Sequence, residues 1–257
     1  TPLYLTYRHY PVDDPKVTGA YGEWKDYNAY SDFISSEGVP VFYARVDHVS
    51  VPLAKEGTGQ VVVDFTPEPL TQDVSFVFHI EKTADVVVDS LTAEISGIPS
   101  TMELTTGLIL AQKTYKLLFR PTYAALPSAA DSASAEALRC EASVNIPGIV
   151  RSHTEDMVTG PGILQIAIYT HYDYEEEGTQ RKAAKVFHAG INLYHTLKER
   201  KSLQWDEEEN GYRQASRSIT VEIGSPLNID KDGILNGGST STGLDQWIPG
   251  ETFEIEV

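Results

Sequence analysis

The chain has 257 residues, and 37 Asp and Glu against 20 Lys and Arg leave a formal charge of −17. That balance excludes a partner bound mainly through phosphates, since nucleic-acid binders present a basic stripe; the one basic cluster, Lys198-Glu199-Arg200-Lys201, is short and diluted by an acid. Hydrophobic residues make up 41%, enough for a folded core, and no run of 18 apolar residues is present to cross a membrane as a helix.

Residues 1–39 are rich in Tyr, Asp, Pro and Gly and have weak periodicity. Within them Trp24, Tyr27 and Tyr30 are candidates for stacking on the apolar face of a sugar, the competing reading being aromatic cover for an edge of the core. Period-two alternation, the mark of half-buried strands, begins over Val41 to Val51 and resumes over Gln60 to Phe65. Thr66-Pro67-Glu68-Pro69 then makes a stiff hinge, because each proline fixes its own φ and restricts the residue before it. A boundary is placed there: residues 1–69 read as an N-terminal β segment, short for an independent sandwich, and residues 70–257 as a C-terminal β-sandwich domain.

Asp73 to Glu81 puts Val74, Phe76, Phe78 and Ile80 on one face. Further strands are predicted over Val86 to Ile98, Met102 to Thr105, Tyr115 to Arg120, Arg139 to Ile146, Ile163 to Tyr174, Ala183 to Tyr194, Ile219 to Ile223 and Thr252 to Val257. Helix is predicted only as a turn or two, within Ala129 to Leu138 and Leu197 to Gln204. Many short strands with polar turns and little helix imply an all-β, antiparallel sandwich rather than a βαβ sheet.

At the end of the chain, Asn236 to Gly243 has the composition of a flexible tether. It precedes Trp247, a candidate latch on the core, and the terminal strand Thr252, Phe253, Glu254, Ile255, Glu256 and Val257. Phe253, Ile255 and Val257 share one face and the two glutamates the other. Two readings stand for this strand: it closes its own sandwich, or it swings out on the tether as a donor to another subunit.

The residues that carry chemistry point away from catalysis. Cys140 is the one cysteine, which excludes a disulfide framework and predicts a buried, inert thiol. Asn228 to Gly233 matches the opening of a calcium loop, but its twelfth position, Ser239, offers no bidentate carboxylate, so a polar β-turn is predicted. His171, His188 and His195 are at most a weak metal cluster. The acidic runs Asp173 to Glu177 and Asp206 to Glu209 read as solvated hairpin loops rather than a glycosidase pair. No nucleophile elbow, phosphate-binding glycine loop or His-Glu-x-x-His is present, so neither an enzyme, nor a cofactor, nor a metal is predicted.

The stretch from Leu70 to Gly107, with Ile95-Ser96-Gly97 and Leu104-Thr105-Thr106-Gly107 at its centre, resembles the fimbrillin superfamily of anaerobic Gram-negative bacteria, and especially its fimbrial anchor and assembly lipoproteins. The likeness extends over about residues 40–257. It implies transthyretin-like β-sandwich domains, a lipoprotein signal upstream of Thr1 and a place on the outer membrane or outside the cell. It also implies a structural function as a fimbrial subunit or anchor, whose partners are other subunits or copies of itself joined by strand complementation. The membrane would be met only through that lipid anchor. The alternative is a surface carbohydrate-binding adhesin module using Trp24, Tyr27 and Tyr30, with a surface glycan as partner.

Overall fold

The computed structural model describes residues 3–6, 9–10, 33–34, 40–46, 48–50, 61–126, 135–152, 160–235 and 247–255. Five short strands come first: β1 (Tyr4–Thr6), β2 (His9–Tyr10), β3 (Phe33–Ile34), β4 (Phe42–Tyr43) and β5 (Glu68–Pro69). Then follow β6 (Gln72–Thr83), β7 (Val87–Glu103), β8 (Ile109–Phe119), β9 (Thr122–Ala125), β10 (Ala135–Ile146), β11 (Ile163–Glu176) and β12 (Thr179–Asn192). A helix, α1 (Tyr194–Arg200), leads to β13 (Leu203–Asp206), β14 (Gly211–Gln214), β15 (Ser218–Glu222), β16 (Leu227–Ile229) and β17 (Ile248–Ile255).

The protein is an all-β sandwich. One sheet of ten strands runs β13-β14-β8-β7-β11-β12-β17, with β1 on β7 and the β2-β3 pair on β8, and it curls into a half-barrel. A second sheet runs β15-β6-β10-β9, with β16 beside β15 on the same edge of β6. Most ladders are antiparallel; β15 and β16 lie parallel to β6, and β3 parallel to β8. β1 pairs with β7 and β3 with β8, so strands from either side of residue 69 share ladders.

Alternation explains the core. Val74, Phe76, Phe78 and Ile80 of β6 are fully buried and face Ile95, Leu117, Leu164, Ile166 and Phe187 from the large sheet, in one continuous cluster. Phe76 stacks on Phe119 across the sandwich, with ring centroids 5.0 Å apart. Burying each such side chain is worth about 1.5–3 kcal/mol against exposure. The acidic runs are hairpin tips, as the sequence implies. Glu177 and Gly178 join β11 to β12 at φ 51° and 78°, the left-handed pair that a two-residue hairpin turn requires. At the β13–β14 tip, Asp206 accepts from Arg213 at 2.8 Å and from the Glu208 and Glu209 amides, contacts that hold its carboxyl below the usual carboxylate range.

Three expectations are corrected. Among the described residues of Val41 to Val51, which leave out Asp47 and Val51, only Phe42 and Tyr43 pair in a ladder, and residues 61–65 pair with no described strand, leaving Val62 72% exposed. Alternation provides a face, but a strand also needs a neighbour for its N–H and C=O groups. Ala135 to Leu138, expected in a helical turn, lie in β10 against β6, where the ladder overrides alanine's helical preference; the rest of that stretch back to Ala129 has only Ala129 to Ser134 left, outside the described residues. Finally, Val86 to Ile98 and Met102 to Thr105 are not two strands. β7 runs through both, because register shifts between Ile95 and Ile98 and between Pro99 and Thr101 absorb Gly97 and Pro99 as bulges.

Candidate functional site at the β17 edge

Of the expected donor strand, Thr252, Phe253, Glu254 and Ile255 lie in β17; Glu256 and Val257 fall outside the described residues. β17 pairs antiparallel with β12, from Gly190↔Ile248 to Ala184↔Ile255, with a register shift between Phe187 and Ala189. Among the described residues no strand lies on its other side, so β17 is an edge.

Its entry is fixed by Trp247, which is 3% exposed, meets Phe78 edge-on at 5.8 Å and donates its indole N–H to the Ser225 carbonyl at 2.9 Å. A buried indole needs such an acceptor, so this residue anchors the strand to the second sheet as the latch reading expects. Pro249 and the bulge blunt the first half of the edge, since proline offers no ladder donor. The second half, Thr252 to Ile255, is regular. Phe253 lies edge-on to His188 at 5.5 Å and stays 38% exposed. Beneath it, Lys185 donates to the Lys231 carbonyl at 2.9 Å, lies 3.5 Å from the Glu254 carboxylate and sits over the Tyr172 ring at 5.5 Å. Lys185 ties β17 and the 230-loop to β12, a role that its place in an alternating strand gives no way to read.

The other candidates do not converge. Trp24, Tyr27 and Tyr30 lie outside the described residues. His171 bonds Asp89 at 2.8 Å, His188 faces Phe253 and His195 lies on α1 against Tyr194. Among the described residues no three His, Cys, Asp or Glu come together as metal ligands. Asp230 accepts the amides of Asp232 and Gly233, both at 2.8 Å, which closes the turn between Ile229 and Ile234. Cys140 is fully buried opposite Phe78, and burial pushes its thiol up to about 12. At neutral pH a thiol reagent is expected to label it only at the rate of unfolding; fast labelling of the native protein would contradict the burial.

No family model matches the chain, and no curated protein matches it significantly. A crystal structure of a candidate adhesin from Bacteroides ovatus ATCC 8483 is similar at 12% identity, with a TM-score of 0.35, over 77% of this chain and 60% of the other. The chain therefore spans about 60% of that protein's length. A likeness this loose carries no argument about function.

Proposed function

We propose that the chain is a cell-surface structural protein, of the fimbrial subunit or anchor kind, that joins its neighbours by adding strands along sheet edges. The observation supporting this reading is the regular half of β17, held by β12 on one side and open on the other, on a strand pinned at its start by Trp247. Backbone N–H and C=O groups on an open edge are satisfied by a strand from another chain, while alternate side chains set specificity.

Successive residues of a strand turn their backbone groups to opposite sides. Of Phe253 and Glu254, one therefore addresses β12 and the other the open edge. Phe253→Pro and Glu254→Pro are expected to separate the two roles. One lowers the melting temperature by removing a home bond; the other leaves it unchanged but abolishes concentration-dependent association in sedimentation. A chain that stays monomeric at high concentration, or associates equally well with both prolines, overturns the edge reading.

A further inference from the structure

A second site lies away from β17. Between α1, the β13–β14 hairpin and residues 150–152 is a cleft of about 370 Å³, within the roughly 300–1,000 Å³ range of small-molecule sites. Arg151, Lys198 and Lys201 line it, together with Tyr194, Trp205 and Tyr212, and no Asp or Glu does among the described residues. In a chain of charge −17, three cations without an acid form a local inversion of sign.

None of the three forms an ion pair with a carboxylate among the described residues. Arg151 and Lys198 both sit over the Tyr194 ring, at 5.3 and 5.7 Å from its centroid, so one aromatic ring supports two positive charges. Lys201 is itself the left-handed residue that ends α1, at φ 53°, and it lines the same cleft. Like charges gathered this way repel, and an anion entering between them relieves that repulsion.

The cleft lining also includes an aromatic pair. Trp205 is 50% exposed and is braced edge-on by Tyr212 at 5.0 Å. A half-exposed indole held in one orientation offers a flat apolar face at little entropic cost.

The walls are rigid. The Val150 amide donates to the Gly97 carbonyl at 2.8 Å, and the Leu193 amide at the start of α1 donates to the Gly162 carbonyl at 2.9 Å. Under the hairpin, Ser202 accepts the Ile149 amide at 3.0 Å and donates to Gln72 at 3.0 Å, both side chains being fully buried. A satisfied buried network of this sort fixes the cleft before any ligand arrives.

We propose that this cleft binds a carboxylated pyranose, of the uronic or sialic acid class, as a unit of an acidic glycan. Arg151, Lys198 and Lys201 hold the carboxylate, and the apolar face of the ring lies on Trp205. The high negative charge of the rest of the surface keeps long polyanions such as nucleic acids away, while a single charged sugar enters a local positive site. This assignment does not rest on the edge-joining reading and stands or falls separately.

The test is calorimetric titration of the full chain with glucuronic acid, N-acetylneuraminic acid, glucose, inorganic phosphate and AMP. At least one acidic sugar is expected to bind with 1:1 stoichiometry, at least tenfold tighter than glucose, and more weakly as salt rises. Arg151→Ala and Lys198→Ala are each expected to weaken it about tenfold, and Lys198→Glu with Lys201→Glu to abolish it. Trp205→Phe keeps binding and Trp205→Ala loses it, with melting temperatures measured alongside; the exposed lysine reversals keep the test valid should the tryptophan variant unfold. Three results overturn the proposal: no saturable binding of either acid, glucose binding as tightly as the acids, or phosphate or AMP binding as tightly as the sugars.

Discussion

Replacing Lys116 with Met is expected to destabilise the sandwich by about 3–5 kcal/mol, the cost of leaving a buried charge without its partner. Lys116 on β8 and Glu94 on β7 meet at 2.8 Å with side chains only 4% and 5% exposed, and Phe33 of β3 packs over the lysine at 5.6 Å. Their chain neighbours Leu117 and Ile95 point into the core, so this pair is buried on the opposite face of the large sheet. Desolvation raises the Glu94 carboxyl above its ordinary value of 4.5, and the lysine's charge and hydrogen bond oppose that rise. The sign of the pH dependence follows. A carboxyl whose folded pKa is raised contributes stability that is complete below 4.5 and is lost as pH climbs through the folded value. Without Lys116 the opposing influence is gone, the folded value climbs further, and the loss extends over a wider range. Urea unfolding of Lys116→Met should therefore show its deficit growing from pH 4.5 to pH 7.5. Adding Glu94→Leu to Lys116→Met should recover most of the stability, because two well-packed apolar side chains leave no charge to desolvate. A single variant as stable as the parent at pH 7.5 would show that water reaches Glu94.

How much of this was legible in the sequence depends on whether a residue's role is local. Val74, Phe76, Phe78 and Ile80 announce a strand face by themselves, and β11 and β12 follow from alternation closed by Glu-Gly. Trp247 could be read as a latch because a lone tryptophan beside a polar tether has little else to do. The stretch from Val41 to Phe65 misleads for the opposite reason: its alternation is as clear as that of β6, yet whether a neighbour offers an edge is decided elsewhere in the chain. Val86 to Ile98 and Met102 to Thr105 read as two strands because glycine and proline punctuate chains, whereas here Gly97 and Pro99 make bulges in one long strand. The cleft was the least legible feature. Lys198 and Lys201 are only three residues apart in sequence, but Arg151 and Trp205 join them only because bonds at Gly97 and Gly162 bring residues 150–152 up to α1.

Those bonds make Gly97→Ala the second large effect, with an expected loss of about 2–5 kcal/mol. Two costs combine. Gly97 sits at φ +88°, a left-handed region that charges a side-chain-bearing residue roughly 1–2 kcal/mol. A Cβ there would also strike the Val150 carbonyl oxygen and lie 2.8 Å from the Gly162 nitrogen and 2.9 Å from the Pro161 Cβ. Two of the three obstacles are backbone, which cannot swing aside, and forcing a methyl into such a site costs about 1–3 kcal/mol. Gly107→Ala is the matched control. It has a similar φ of +70° but nothing within 4 Å, so only the conformational cost of about 1 kcal/mol is expected. Denaturant midpoints of the two variants should differ by the steric part alone. The difference also bears on the cleft. Displacing Val150 from the Gly97 carbonyl moves Arg151 away from Tyr194, so the folded fraction of Gly97→Ala should bind an acidic sugar more weakly while Gly107→Ala binds it as the parent does. Equal midpoints would mean that the Val150 and Gly162 backbones yield, and a cleft that binds normally in Gly97→Ala would mean that Arg151 is positioned by something other than the β7 bulge.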